Sequence, residues 1–148
     1  MTTYLINAPH DQKIATEEYG AIKVLVYSNP AYYKPKSLAR DFGDIGKGDF
    51  VIICRDSELK YLAEVEDVVM ATDASEDEKY TGLPVKLLKG KLVKRFGNVG
   101  VGAATNRMVQ QGISPPNLIN KEVTGFKQGA FAEKLTQEQT AQYETWAS

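Results

Sequence analysis

Six basic side chains crowd the stretch PVKLLKGKLVKRFGNVGVGAATNR (84–107): Lys86, Lys89, Lys91, Lys94, Arg95 and Arg107. No Asp or Glu occurs between Glu78 and Glu122, an interval holding eight Lys and Arg, although the chain as a whole carries a formal charge of −1. Ammonium and guanidinium groups gathered in this way neutralise phosphates and release the counterions condensed on a nucleic acid. An ordinary solvated face mixes signs, because like charges left together repel and weaken the compact state. A row without carboxylates therefore points to an anionic partner. The six residues are the candidate phosphate contacts.

A second candidate set is aromatic. Tyr32 and Tyr33 lie between Pro30 and Pro35, in a loop after an apolar run. Exposed rings there could stack on a flipped base or an unpaired nucleotide while an amide such as Asn29 reads the base edge. Asn29, Tyr32 and Tyr33 are thus the candidate base pocket.

Other chemistry finds little to work with. His10 is the only histidine, so a Ser–His–Asp triad would have to be built on it and two-histidine metal sites are excluded. Cys54 is the only cysteine, which excludes an internal disulfide and Cys-based zinc sites. It falls in the run FVIIC and reads as a small core residue. DASEDE (73–78) reads as a solvated acidic loop rather than a cation site. The loop FGNVGVGAATNR has the glycines that let backbone N–H groups approach a phosphate. It lacks the Lys-Ser/Thr of a P-loop and the spacing of a dinucleotide fingerprint. The expectation is a binding module with no catalytic residues, no metal and no cofactor.

These residues must be positioned by a single globular domain spanning 1–148, with 43% apolar and 25% charged residues. No apolar run approaches the roughly 18–20 residues of a membrane helix, and no secretory signal is visible. A cytoplasmic protein with no membrane association is expected. Charge is divided along the chain. Residues 1–80 hold nine Lys and Arg against fifteen Asp and Glu, a net of −6, and residues 81–148 hold nine against four, a net of +5. Such asymmetry implies an electrostatic face unless folding interleaves the halves.

Short β-type runs dominate the first two-thirds. TYLIN (3–7) and AIKVLVYS (21–28) read as strands, and Pro35 places a helix near 36–42. Gly46 and Gly48 make a turn, Phe50–Cys54 a buried strand, RDSE a hairpin turn and Lys60–Met70 the returning strand. Segment 84–95 reads as a strand bent at Gly90, followed by a flexible loop through Gly97, Gly100 and Gly102 and a helix over 104–111. Residues 113–126 read as loop and edge strand because of Pro115 and Pro116. Thr136 and Gln139 form a capping box opening a helix to about Trp146. The class is α+β: a small, strongly bent mixed sheet or pseudobarrel of five or six strands, with two or three peripheral helices. A break in regular pairing near Gly90 would change the alternation of side chains and bring at least four of the six basic residues to one groove.

Lys47–Gly48–Asp49–Phe50–Val51–Ile52–Ile53, followed by Leu62–Ala63–Glu64–Val65, resembles the barrel of PUA-like domains, the EVE subgroup especially. KQGAFAEKLTQEQTAQYETW (127–146) resembles the EVE ending, in which a basic turn and short strand lead through a capped Leu-Thr into a last helix. The resemblance covers about residues 45–146, with 96–126 poorly matched; the Tyr-Trp start of EVE domains is missing, and the only tryptophan is Trp146. It implies a pseudobarrel that accommodates a modified or flipped base in DNA or RNA without catalysis. Two functional classes follow. One is a non-catalytic nucleic-acid-binding module. The other is a small protein of the phage or mobile-element type that binds and modulates a host protein.

Overall fold

The computed structural model describes residues 2–8, 17–18, 21–22, 45–71, 85–120, 125–127 and 132–147. They form a mixed α+β fold built on one large sheet. In chain order its strands are β1 (Thr3–Asn7), β2 (Glu17–Glu18), β3 (Ala21–Ile22), β4 (Phe50–Arg55), β5 (Glu58–Ala71), β6 (Val85–Gly100) and β9 (Ala132–Lys134). Two further strands, β7 (Ile119–Asn120) and β8 (Gly125–Phe126), pair with each other in a separate two-stranded sheet. Helix α1 (Val101–Gln110) follows β6 directly, and helix α2 (Gln137–Glu144) follows β9. The sheet order is β2-β3-β6-β5-β4-β1-β9, with β1 parallel to β4 and every other pair antiparallel. Among the described residues the sheet is therefore open, ending at β2 and β9, and has seven strands rather than five or six. The expected helix over 36–42 lies outside the described residues.

The central hairpin arises as its residues demand. β4 and β5 are rich in Val, Ile and Leu, with apolar residues in consecutive positions, the pattern of strands buried on both faces. Asp56 and Ser57 join them with φ of 53° and 61°, left-handed at both positions, as a two-residue turn that follows strand twist requires. Side chains then divide between two cores. One face carries Leu5, Ile52, Cys54, Leu59, Leu62 and Phe96, which pack with Val101, Ala104 and Met108 of α1 and Tyr143 of α2. The reverse face carries Ile6, Val51, Ile53, Ala63, Val65 and Leu88.

β6 corrects one expectation. Its strand does not stop at Arg95 but runs to Gly100, through the segment expected to be a glycine loop. The physical reason is a waiting partner: Glu58 and Leu59 of β5 pair with Gly100 and Val99, and the Val101 N–H donates to the Ser57 carbonyl at 2.7 Å. Glycine is permissive rather than disruptive, so an available ladder captures it. Helix α1 consequently begins three residues earlier than expected. It ends in a Schellman motif. Gly112 has φ of 74°, its N–H donates to the Val109 carbonyl, and the Ile113 N–H donates to the Met108 carbonyl.

The capping box of α2 is present as expected. Gln139 N–H donates to Thr136 Oγ1 at 3.1 Å, and Thr136 N–H donates to Gln139 Oε1 at 2.9 Å. The same glutamine, buried, donates through Nε2 to the Ser114 carbonyl at 2.9 Å and ties the helix to the loop after α1. Thr136→Ala is expected to lower unfolding free energy by about 1 kcal/mol. Gln139→Ala is expected to cost more, since it also strands a carbonyl; chemical denaturation of the two variants measures the difference.

Candidate nucleic-acid interface

The basic residues of β6 are distributed by its register against β5. Directly opposed residues on antiparallel strands share a face. Asp67 opposes Lys89, Glu64 opposes Lys91, Leu62 opposes Lys94, and Tyr61 opposes Arg95. Leu62 belongs to the core face covered by the helices, so Lys94 projects on that side. Lys89 and Lys91 alternate with Leu88, Gly90 and Leu92 and project on it as well. All three lysines are exposed there.

Strict alternation would separate them, since 89 and 91 differ in parity from 94. The pairing slips between Leu62 and Ala63, which oppose Lys94 and Leu92 and leave Val93 as the extra residue of β6. This bulge reverses the phase and brings Lys94 round to join Lys89 and Lys91. Val93 itself is 45% exposed.

A slip near Gly90 also exists, but on the partner strand. Val65 opposes Gly90 and Asp67 opposes Lys89, so the extra residue is Glu66 of β5. The break expected near Gly90 is thus present, with its extra residue on β5. A Cβ at this position would come within 3.2 Å of the Ala63 Cβ and 3.4 Å of the Glu64 carbonyl oxygen, so glycine is there for close approach of the strands.

Lys89, Lys91 and Lys94 thus share one face of the sheet. Arg95 turns to the reverse side, where its guanidinium lies 5.6 Å from the centre of the Tyr61 ring, a cation–π arrangement. Arg107 is exposed in the last turn of α1, where a cation also complements the negative end of the helix. Lys86 opposes Met70 in the ladder. Asn29, Tyr32 and Tyr33 lie outside the described residues, as do His10 and the acidic segment 73–78.

The larger correction concerns charge. The segment is free of carboxylates in sequence but not in space, because β5 lays Glu64 and Asp67 directly across from Lys91 and Lys89. Folding interleaves the acidic and basic halves along the β5–β6 ladder. Lys94 is the exception, facing the apolar Leu62. A signal for these neighbours was available in the run AEVED (63–67), but the register that opposes it to Lys89–Lys91 is a product of long-range pairing.

Burial pushes the Cys54 thiol far above its ordinary 9.0, so the sulfur stays protonated and unreactive. No group of three or more His, Cys, Asp or Glu among the described residues is placed to hold a metal ion. A polar recess of about 380 Å³ opens beside β1, β9 and α2, lined among others by Thr3, Lys134, Gln137 and Glu144. No helix among the described residues is long and apolar enough to cross a membrane. Compared with known proteins, the chain matches no family model and no curated protein.

Proposed function

We propose that this protein is a non-catalytic nucleic-acid-binding module acting in the cytoplasm, with Lys89, Lys91 and Lys94 as its phosphate contacts. The observation that carries this reading is the bulge at Val93, which gathers the three exposed lysines on one side of the sheet. The PUA-like resemblance supports it. On that reading the bent sheet closes into a pseudobarrel, and the loop of Asn29, Tyr32 and Tyr33 receives a modified or flipped base. Arg95, Arg107 and Lys86 are secondary contacts along the path of the strand. Binding should weaken as salt rises, because each neutralised phosphate releases counterions. Fluorescence titrations of labelled DNA and RNA oligonucleotides at two salt concentrations test this. Failure to bind any of them at low salt, modified bases included, would exclude it.

One observation favours a second reading. The cross-strand pairs Glu64–Lys91 and Asp67–Lys89 make the face mixed in sign, as surfaces that match a protein partner commonly are. A small phage- or mobile-element-type protein that modulates a host protein would use it so. Capture from host lysate that survives nuclease treatment, together with absent oligonucleotide binding, would favour this reading over the first.

A further inference from the structure

On the nucleic-acid reading above, on which this inference rests, the lysine face is not a plain cationic strip. Two of its three lysines stand directly opposite carboxylates, Lys91 opposite Glu64 and Lys89 opposite Asp67. Side chains in such positions start about 4.5–5.5 Å apart at Cβ. Among the described residues neither pair closes into a salt bridge; the ion pairs found on β4 and β5 are Arg55–Asp56 and Lys60–Glu58. Asp67 is instead held by its own strand, its Oδ1 accepting the Val68 N–H at 2.9 Å. Glu64 and Asp67 are both exposed. The two carboxylates therefore stand as negative charges beside the lysines rather than as salt-bridge partners of them.

We propose that Glu64 and Asp67 are specificity-determining residues of this face: they hold down binding that rests on charge alone. A phosphate approaching Lys89 or Lys91 meets a carboxylate at the same rung of the ladder, and the attraction and repulsion partly cancel. At Lys94 the rung is completed by Leu62, so the full attraction is felt there. A partner offering only negative charge is held chiefly at Lys94. A partner held at all three lysines must add contacts of another kind, with sugar, base or backbone. The carboxylates do not abolish binding; they set how much of it electrostatics can supply.

The test uses the full chain with Glu64→Gln and Asp67→Asn, singly and together. Both replacements preserve shape, and Asn keeps the Oδ1 acceptor for Val68. Heparin serves as the charge-only probe and a mixed-sequence single-stranded oligonucleotide as the nucleic acid. The double variant is expected to bind both probes roughly 2- to 10-fold more tightly at low salt, the size of effect that one or two exposed charge pairs produce. Its affinity should also fall more steeply with salt. Glu144→Gln, an exposed change on α2 with the same effect per residue on net charge, should give no such gain. Adding Lys89→Gln and Lys91→Gln to the double variant should remove the gain. A double variant that binds like a lysine-dependent parent overturns this inference and leaves the binding function standing. An equal gain from Glu144→Gln also overturns it, since net charge would then suffice. Absence of binding by the parent and by every variant overturns both readings.

Discussion

A protein carrying Lys89→Gln, Lys91→Gln and Lys94→Gln is expected to lose roughly 10- to 100-fold in nucleic-acid affinity at low salt, while melting within about 2 °C of the parent. The three ammonium groups share one face because of the slip at Val93. Each phosphate contact contributes about 0.9 to the slope of log affinity against log salt on duplex DNA, so removing three flattens that slope by up to about 2.7. Stability should hardly change, because the lysines are exposed and none closes a salt bridge among the described residues. Glutamine is the correct replacement. Glutamate at position 91 would face Glu64 across the strand, and like charges directly opposed destabilise a sheet. Titration at two salt concentrations and a thermal melt give both quantities. A variant that binds like the parent, with the same slope, would reduce the lysine row to a wetted surface.

Tyr143→Phe is expected to make the protein more stable, by about 1 kcal/mol or about 2–4 °C in melting temperature. Tyr143 is fully buried on α2 against the core of Leu5, Ile52, Cys54 and Met108, and its hydroxyl has no hydrogen-bond partner among the described residues. Burying a hydroxyl without a partner forfeits its hydrogen bonds to water, whereas phenylalanine keeps the ring and its packing. Burial also pushes the phenol well above its ordinary 10.0, with Cys54 and Glu133 adding to the shift. The sign follows from linkage. Below about pH 10 the phenol is protonated in both folded and unfolded chains and contributes no pH dependence. Above that, the unfolded chain ionises first, and the parent loses stability as pH rises. The advantage of the Phe variant should therefore widen above pH 10. Urea denaturation at neutral and alkaline pH measures this. A less stable Phe variant would mean that the hydroxyl has found a partner, such as a buried water. Tyr143→Ala, by contrast, empties a ring-sized volume and is expected to cost about 3–5 kcal/mol.

Local rules decided the parts of this fold that neighbours in sequence can specify. TYLIN, FVIIC and the run from Glu58 became strands because β-branched and aromatic residues fit a pleated, buried surface. The two-residue turn at Asp56–Ser57 and the capping box at Thr136–Gln139 use hydrogen bonds and dihedral preferences spanning a few residues, so both were legible. The burial of Cys54 followed from its apolar run. The basic character of 84–107 was equally plain.

What that basic segment faces was not. Whether a glycine-rich stretch is loop or strand depends on whether a partner strand lies alongside, and β5 captured Val99 and Gly100 into β6. The meaning of Gly90 was likewise decided across the ladder, where the close approach of Ala63 and the bulge at Glu66 belong to β5. Most consequentially, the carboxylates missing from residues 79–121 are supplied by Glu64 and Asp67, which lie 27 and 22 positions before the lysines they oppose, Lys91 and Lys89. Charge counted along a sequence measures covalent proximity, but Coulomb interaction follows distance in space, and only the strand register converts one into the other. The sequence alone therefore determined which side chains could meet an anion. The fold decided that three of them share one face, and that two of these stand opposite a carboxylate.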